Sequence, residues 1–350
     1  MYEFIFITHQ PAFYKVNLYN ELAKHKKIFV FFISDGSSIR NKDFISYNMK
    51  FEYAFLNNGA FEKRNWIFSC VRLLKKLKKI SAKKIVVGGW DLPEFWLSVI
   101  CNEKYKNAVI VESSIYESST NNVFRILKNY FLKMISLAYC SGKPHAELLN
   151  SLGYKDKIVI TGGVGLKNSS GKSCLFNIKK TLPNSGVSFL YVGRLSQEKG
   201  VFFLIDFFRQ RYDLKLTIVG DGPLKNALLR DCPENVTLLG YVSNSELSDV
   251  YQSHDIFILP SHSETWGLVV EEALHFGLPV VCSSKVGCNI DLVCDPDTGV
   301  IFDDGNFESL LLATQQVIKH YPHYIEKIEL FNSNNKDKHQ MNAYIDGWMD

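Results

Sequence analysis

Short apolar runs alternate with amphipathic runs twice along this chain, and no other feature restricts its fold so strongly. Residues 2–8 (YEFIFIT), 27–34 (KIFVFFIS), 83–89 (KKIVVGG) and 108–113 (AVIVES) read as strands. Residues 14–23, 67–79, 93–105 and 123–137 read as helices. The strands read as apolar runs rather than alternating patterns, as expected of strands covered on both faces. Such alternation implies right-handed crossovers and a parallel sheet. Residues 161–187 (TGGVGLKNSSGKSCLFNIKKTLPNSGV) break the pattern and read as a boundary and linker. The alternation then resumes, with strands at 187–193, 214–220, 235–240, 255–260, 279–283 and 299–302. Helices are expected at 200–210, 224–230, 246–252, from near Gly267, at 306–320 and at 342–348.

A length of 350 residues accommodates two α/β domains. The first is expected over 1–162 and the second over 163–330, with a C-terminal helix in 331–350 packing back on the first. Two such sheets facing a central cleft would bind ligands at the carboxyl ends of their strands. The start, MYEFIFITHQP, lacks the basic region of a signal peptide. No window approaches the ~18 uninterrupted apolar residues of a membrane span. Eight cysteines form no CxxC pair, and the six-residue spacing of Cys282, Cys288 and Cys294 has no histidine cluster beside it. Reduced thiols in a cytoplasmic protein are expected. Charge is uneven: residues 1–160 hold 24 Lys/Arg against 13 Asp/Glu, and the remainder holds 16 against 23. A basic and an acidic half suggest different partners.

The loops after strands carry the candidate chemistry. In YVGRLSQEKG (191–200), Arg194 and Lys199 follow a strand and precede a helix. They suit an anionic ligand, or are simply two solvated cations. In HSETWGLVVEEALHFGLPVV (262–281), Glu264 precedes the helix that starts near Gly267, and Glu272 lies inside it. The free N–H groups of that helix start favour an anion. Glu272 is expected at the core's edge with a partner, either a ligand or a salt bridge, and Glu271 is expected in solvent. The run GLKNSSGKS resembles a phosphate-binding loop but places five residues between Gly165 and Gly171, and no strand–loop–helix context follows.

Taken together, GRLSQEKG, VGDGP, LGYVSNSEL and the Glu264–Glu272 spacing resemble the retaining family 4 glycosyltransferases (glycosyl transferases group 1) of bacterial cell-surface polysaccharide type. The likeness is dense over 187–305 and only topological before that. It implies a GT-B fold, two Rossmann-like parallel-sheet domains, and transfer from a nucleotide sugar without a metal or other cofactor. By that resemblance, Arg194 and Lys199 hold the donor diphosphate and Glu264 contacts the transferred sugar. Gly267, Leu268 and Val269 cap the phosphates, Glu272 binds the ribose, and the loop at Tyr241–Val242 lies near the base. A UDP-sugar is the preferred donor, and Glu264, Arg194 and Lys199 form the catalytic set. Relatives often carry a histidine in the loop corresponding to 112–116, and this chain has none there, which puts proton handling by that loop in doubt.

The first domain is expected to hold the acceptor through loops after its strands: His9 and Gln10, Trp90 and Asp91, Glu112 and Ser113. Packing for Trp90 and helix capping for Asp91 are the competing readings. The stretch 65–84 reads as a basic amphipathic helix, its stripe marked by Ile67, Val71, Leu74, Leu77 and Lys78, with Trp66 and Phe68 at its start. It suits an anionic membrane surface or is an ordinary surface helix. Nucleic acid is a poorer alternative and is not expected as a partner, since no recognised motif accompanies the charge. A hexosyl transfer to a glycan, lipid-linked as in lipopolysaccharide, O-antigen or capsule assembly, at the inner face of the cell membrane, is the leading expectation. A sugar-nucleotide epimerase and an inactive glycan- or lipid-binding module are the alternatives.

Overall fold

The computed structural model describes residues 1–39, 42–117, 122–166, 181–183, 186–334 and 336–347. The chain divides into two units, residues 1–168 with 336–350, and residues 169–335. Most of the expected linker 161–187, including most of the GLKNSSGKS run, lies outside the described residues.

The first unit runs β1 (Tyr2–Thr8), α1 (Phe13–Leu22), β2 (Ile28–Gly36), β3 (Glu52–Ala60), α2 (Trp66–Leu77), β4 (Ala82–Val87), α3 (Pro93–Ile100), β5 (Asn107–Val111), α4 (Asn122–Leu132), β6 (Leu137–Cys140), α5 (Lys143–Ser151) and β7 (Lys157–Ile160). Among the described residues its strands form one sheet in the order β3-β2-β1-β4-β5-β6-β7. Every neighbouring pair is parallel. The pleat sends alternate residues to opposite faces. Ile5 and Ile7 of β1 join Leu73 of α2, Phe95 and Val99 of α3, Phe131 of α4 and Leu148 of α5 in one core. Phe4 and Phe6 join Val16 and Tyr19 of α1 in the other.

The second unit runs β8 (Val187–Val192), α6 (Val201–Arg209), β9 (Leu214–Val219), α7 (Lys225–Arg230), β10 (Val236–Gly240), α8 (Leu247–Ser253), β11 (Ile256–Leu259), α9 (Leu268–His275), β12 (Val280–Ser283), β13 (Gly299–Phe302), α10 (Phe307–Lys319) and α11 (Tyr321–Ser333). Its sheet is parallel in the order β10-β9-β8-β11-β12-β13. The chain then returns to the first unit through α12 (Lys336–Asp346), where Tyr344 is buried in the α1-side core and stacks on Tyr139 at 4.4 Å.

Several elements differ from the sequence reading. β3, β6, β7 and α5 were not expected. β3 is an edge strand that begins on a charge and ends Asn-Asn-Gly-Ala, so it lacks a continuous apolar run. β6 is four buried residues just beyond α4, and periodicity cannot split an unbroken apolar stretch into helix end and short strand. The expected basic helix 65–84 ends at Leu77, and Lys83 and Lys84 lie on β4. Its buried face also differs: Ser69 and Leu73 are buried, while Ile67 and Val71 are exposed together with Trp66 and Phe68. Among the described residues, no helix is long and apolar enough to cross a membrane.

Candidate functional site

In the second unit, two loops at the carboxyl ends of the adjacent strands β8 and β11 meet. Gly200 adopts φ 66, and a Cβ added there would collide with the Pro260 carbonyl oxygen. Glycine is therefore required where the two backbones touch. The N–H groups of His262 and Ser263 donate to the Glu198 carbonyl at 2.9 and 3.3 Å. This brings Lys199 Nζ to 2.5 Å from Glu264 Oε2, with both side chains less than a fifth exposed. Glu264 is fixed from behind as well, since its carbonyl accepts from Gly287 N–H at 2.9 Å. Arg194 is exposed, and its guanidinium has no hydrogen-bond or ion-pair partner among the described residues. The Ser196 hydroxyl first, then Lys199 and Arg194, hold the Glu198 carboxyl below its ordinary value.

The chain turns into α9 through Gly267, which has φ 105. The N–H groups of the first helical residues Leu268 and Val269 have no intrahelical acceptor available to them, and the helix dipole adds positive potential there. Glu272, one turn further on, is half-buried and accepts from Tyr251 Oη at 2.9 Å. Burial and then the Glu272 charge push the Tyr251 phenol well above its ordinary value, so it stays a donor. Val242 lies on the loop after β10, half-buried. The structure thus brings Lys199 and Glu264 into contact and sets Gly267, Leu268 and Val269 at a helix start. No hydrogen bond joins Val242 or Arg194 to this group.

Glu271 departs from expectation. It is 7% exposed rather than solvated, and its carboxylate accepts from the indole N–H of Trp266, itself 1% exposed. A buried indole N–H needs an acceptor, and the residue five positions on supplies it. Tyr251, which holds Glu272, was also not singled out from the sequence. An aromatic residue near the end of a short helix carries no signal of its role.

In the first unit, the expected residues lie beyond the carboxyl ends of β1, β4 and β5. His9 Nε2 and Asp91 Oδ2 share a hydrogen bond of 3.0 Å. The His9 ring packs between Phe61 and Phe95 at 5.4 and 5.2 Å. Burial pushes the Asp91 carboxyl up, but the hydrogen bond and charge of His9 outweigh this and hold it below its ordinary value. Glu112 Oε1 pairs with Lys15 Nζ at 2.8 Å. Burial works against the Lys15 ammonium, and the Glu112 charge overrides it, so the lysine stays charged. Lys15 was missed; its signal was a lone cation within the otherwise uncharged start of α1. Gln10 presents a buried Oε1 without a hydrogen-bond partner. The Trp90 carbonyl accepts from Trp96 Nε1 at 2.8 Å, and Ser113 is half-buried beside Glu112. Among the described residues no group of three His, Cys, Asp or Glu side chains is placed to hold a metal ion.

Residues 176–341 match the family model described as glycosyl transferases group 1. The putative teichuronic acid biosynthesis glycosyltransferase TuaC of Bacillus subtilis is 31% identical over 178 residues, covering 50% of this chain and 45% of that protein. The chain spans less than half the length of the first curated relatives it matches. Among solved structures, the lipopolysaccharide outer core galactosyltransferase WaaB, apo form, aligns with TM-score 0.71 at 16% identity, covering 98% of this chain and 99% of that one. HepE of Anabaena in complex with UDP and glucose aligns with TM-score 0.70 at 17% identity, covering 98% of each chain. Such identities establish a shared fold: two Rossmann-like parallel-sheet domains of GT-B architecture.

Proposed function

Starting from a chain that carries a glycosyl transferases group 1 domain over residues 176–341, we propose that it transfers a hexosyl group, with retention of configuration, from a UDP-sugar to a glycan acceptor. The observation that carries this reading is the Lys199–Glu264 contact at the carboxyl ends of β8 and β11, in the loop that leads into α9. Breaking the bond between the anomeric carbon and the diphosphate builds negative charge on the diphosphate. Lys199, Arg194 and the amides of Gly267, Leu268 and Val269 meet that charge with fixed dipoles and cations, with no metal required. Glu264 holds hydroxyls of the transferred sugar, and Glu272 those of the ribose. Val242 lines the base.

The acceptor belongs to the first unit, with His9, Gln10, Trp90, Asp91, Glu112 and Ser113 as its contacts. Its basic charge, together with the exposed Trp66, Ile67, Phe68 and Val71 of α2, supports a lipid-linked acceptor reached at the inner face of the cell membrane. Lipopolysaccharide, O-antigen or capsule assembly fits that chemistry, in keeping with the names of TuaC and WaaB.

UDP supplies the test. A ligand that binds the native state raises the thermal midpoint, by about 2.7 kcal/mol of added stability at one hundred times its Kd. UDP should raise the midpoint of the wild type and leave Lys199→Ala unshifted. An equal shift in both would remove Lys199 from the diphosphate site.

A further inference from the structure

Between the end of β3 and the start of α2 lies a cavity of about 520 Å³, lined in part by Asn58, Lys63, Arg64, Asn65, Phe68 and Arg72. Its volume falls within the range of small-molecule sites. Two of the side-chain acceptors in its wall are already engaged. Asn65 Oδ1 accepts from the N–H groups of Ile67 and Phe68, capping α2. The Asn57 side chain, also part of the wall, accepts from Arg72 Nη1 at 2.8 Å and donates to the Ile33 carbonyl and to Ser69 Oγ. Donors remain: the Lys63 ammonium, Asn65 Nδ2, and Arg72 Nε and Nη2.

Both arginines are held in place. Arg72 also donates to the Leu56 carbonyl at 3.0 Å. Arg64 pairs with the fully buried Glu94 at 2.9 Å and lies 4.0 Å over the Phe61 ring. Glu94 offsets the charge of Arg64, which leaves Lys63 and Arg72 without a carboxylate partner among the described residues. Glu62, next in sequence to Lys63, is turned away and bonded to Ser37 and Ser38. A preorganised donor pocket with surplus positive charge fits an anion rich in acceptor oxygens, such as a phosphate.

The surroundings narrow the source. Phe68 lines the cavity and is 60% exposed, and Trp66 and Ile67 beside it are each more than half exposed. Lys75, Lys76 and Lys79 continue along and just past the same helix. An apolar, cationic helix edge at the mouth of a pocket with surplus positive charge matches a phosphate carried on an apolar chain. The pocket also adjoins the proposed acceptor loops, because Phe61 contacts both Arg64 and His9.

We propose that this cavity binds the phosphate of a lipid, an inference that rests on the lipid-linked acceptor reading and gives that acceptor's phosphate a seat. Co-sedimentation of the full chain with phosphatidylcholine vesicles tests it, the vesicles carrying either phosphatidic acid or phosphatidylglycerol at matched surface charge. The wild type should bind the phosphatidic acid vesicles several-fold more tightly. Lys63→Gln changes an exposed side chain without an ion-pair partner, so its fold should persist, checked by its thermal midpoint, and its head-group preference should vanish. Lys75→Gln/Lys76→Gln, outside the cavity, should weaken binding to both vesicles alike, by about fivefold per charge removed, and keep the preference.

Equal binding of wild type to the two vesicles, or a preference unchanged in Lys63→Gln, overturns the proposal. So does stabilisation of wild type but not Lys63→Gln by inorganic phosphate in the absence of any head-group preference, which would mark a site for free phosphate. The binding is read without donor, so a failure here is distinct from a failure to release UDP from UDP-sugars.

Discussion

Glu271 and Glu272 are adjacent in sequence and differ in burial and in partner: Glu271 is buried against Trp266, and Glu272 is half-buried against Tyr251. The helical pattern of α9 suggested Glu272 at the core's edge and Glu271 in solvent. The first holds: Glu272 is half-buried against Tyr251. The second fails because Trp266 turns inward just before the helix, and nothing in the letters around it reports that turn. Glu271→Ala should remove the carboxylate that accepts from the buried indole N–H and cost about 1.5–3 kcal/mol in urea unfolding, with UDP affinity retained. Glu272→Gln keeps an acceptor for Tyr251 but loses the charge that the proposed ribose contact uses. It should keep its stability and bind UDP about tenfold more weakly. Full UDP affinity in Glu272→Gln would remove the ribose from its role.

At the scale of elements, the sequence reading located the strong apolar strands and missed the weak ones. β1, β2, β4 and β5 are buried runs whose composition announces them. β7 is a four-residue edge strand with no fully buried residue, and among the described residues it pairs only with β6. Its place in the sheet is set by tertiary contact rather than by local preference. α2 was legible as a helix and not in its orientation, since which face is buried depends on α3 and β3 beside it.

The loop between β3 and α2 has its own pH signature. Burial pushes Glu62 up, but hydrogen bonds from Ser37 and Ser38 outweigh it and bring its pKa down from 4.5 to about 2. A lowered carboxylate pKa stabilises the fold fully above the unfolded value and loses that contribution as pH falls through the folded one. The thermal-midpoint gap between wild type and Glu62→Gln should therefore be full at neutral pH and should shrink as pH falls from about 4.5 towards 2. A gap that stays constant over that window would contradict the Ser37–Ser38 anchoring.

For the whole molecule, two parallel α/β sheets were legible because strand–helix alternation is a repeated, long-range signal. The crossing of α12 back into the first unit was expected only in outline. Its anchor, the buried Tyr344 stacked on Tyr139, is a contact between residues about two hundred positions apart that no local pattern encodes. The candidate donor residues were singled out because most of them sit in or beside loops directly after strong strands, and the roles proposed for them came from the family resemblance. The candidate acceptor residues sit after equally strong strands, but their partners Lys15, Phe61 and Phe95 come from elsewhere in the unit.

The central proposal is that the second unit acts as a nucleotide-sugar site with Lys199 and Glu264 at its centre. Release of UDP by the full chain from a panel of UDP-sugars measures this directly. The wild type should release UDP from at least one of them, and Glu264→Ala and Lys199→Ala should each slow release by roughly 10²–10³. Undiminished release from Glu264→Ala would contradict it.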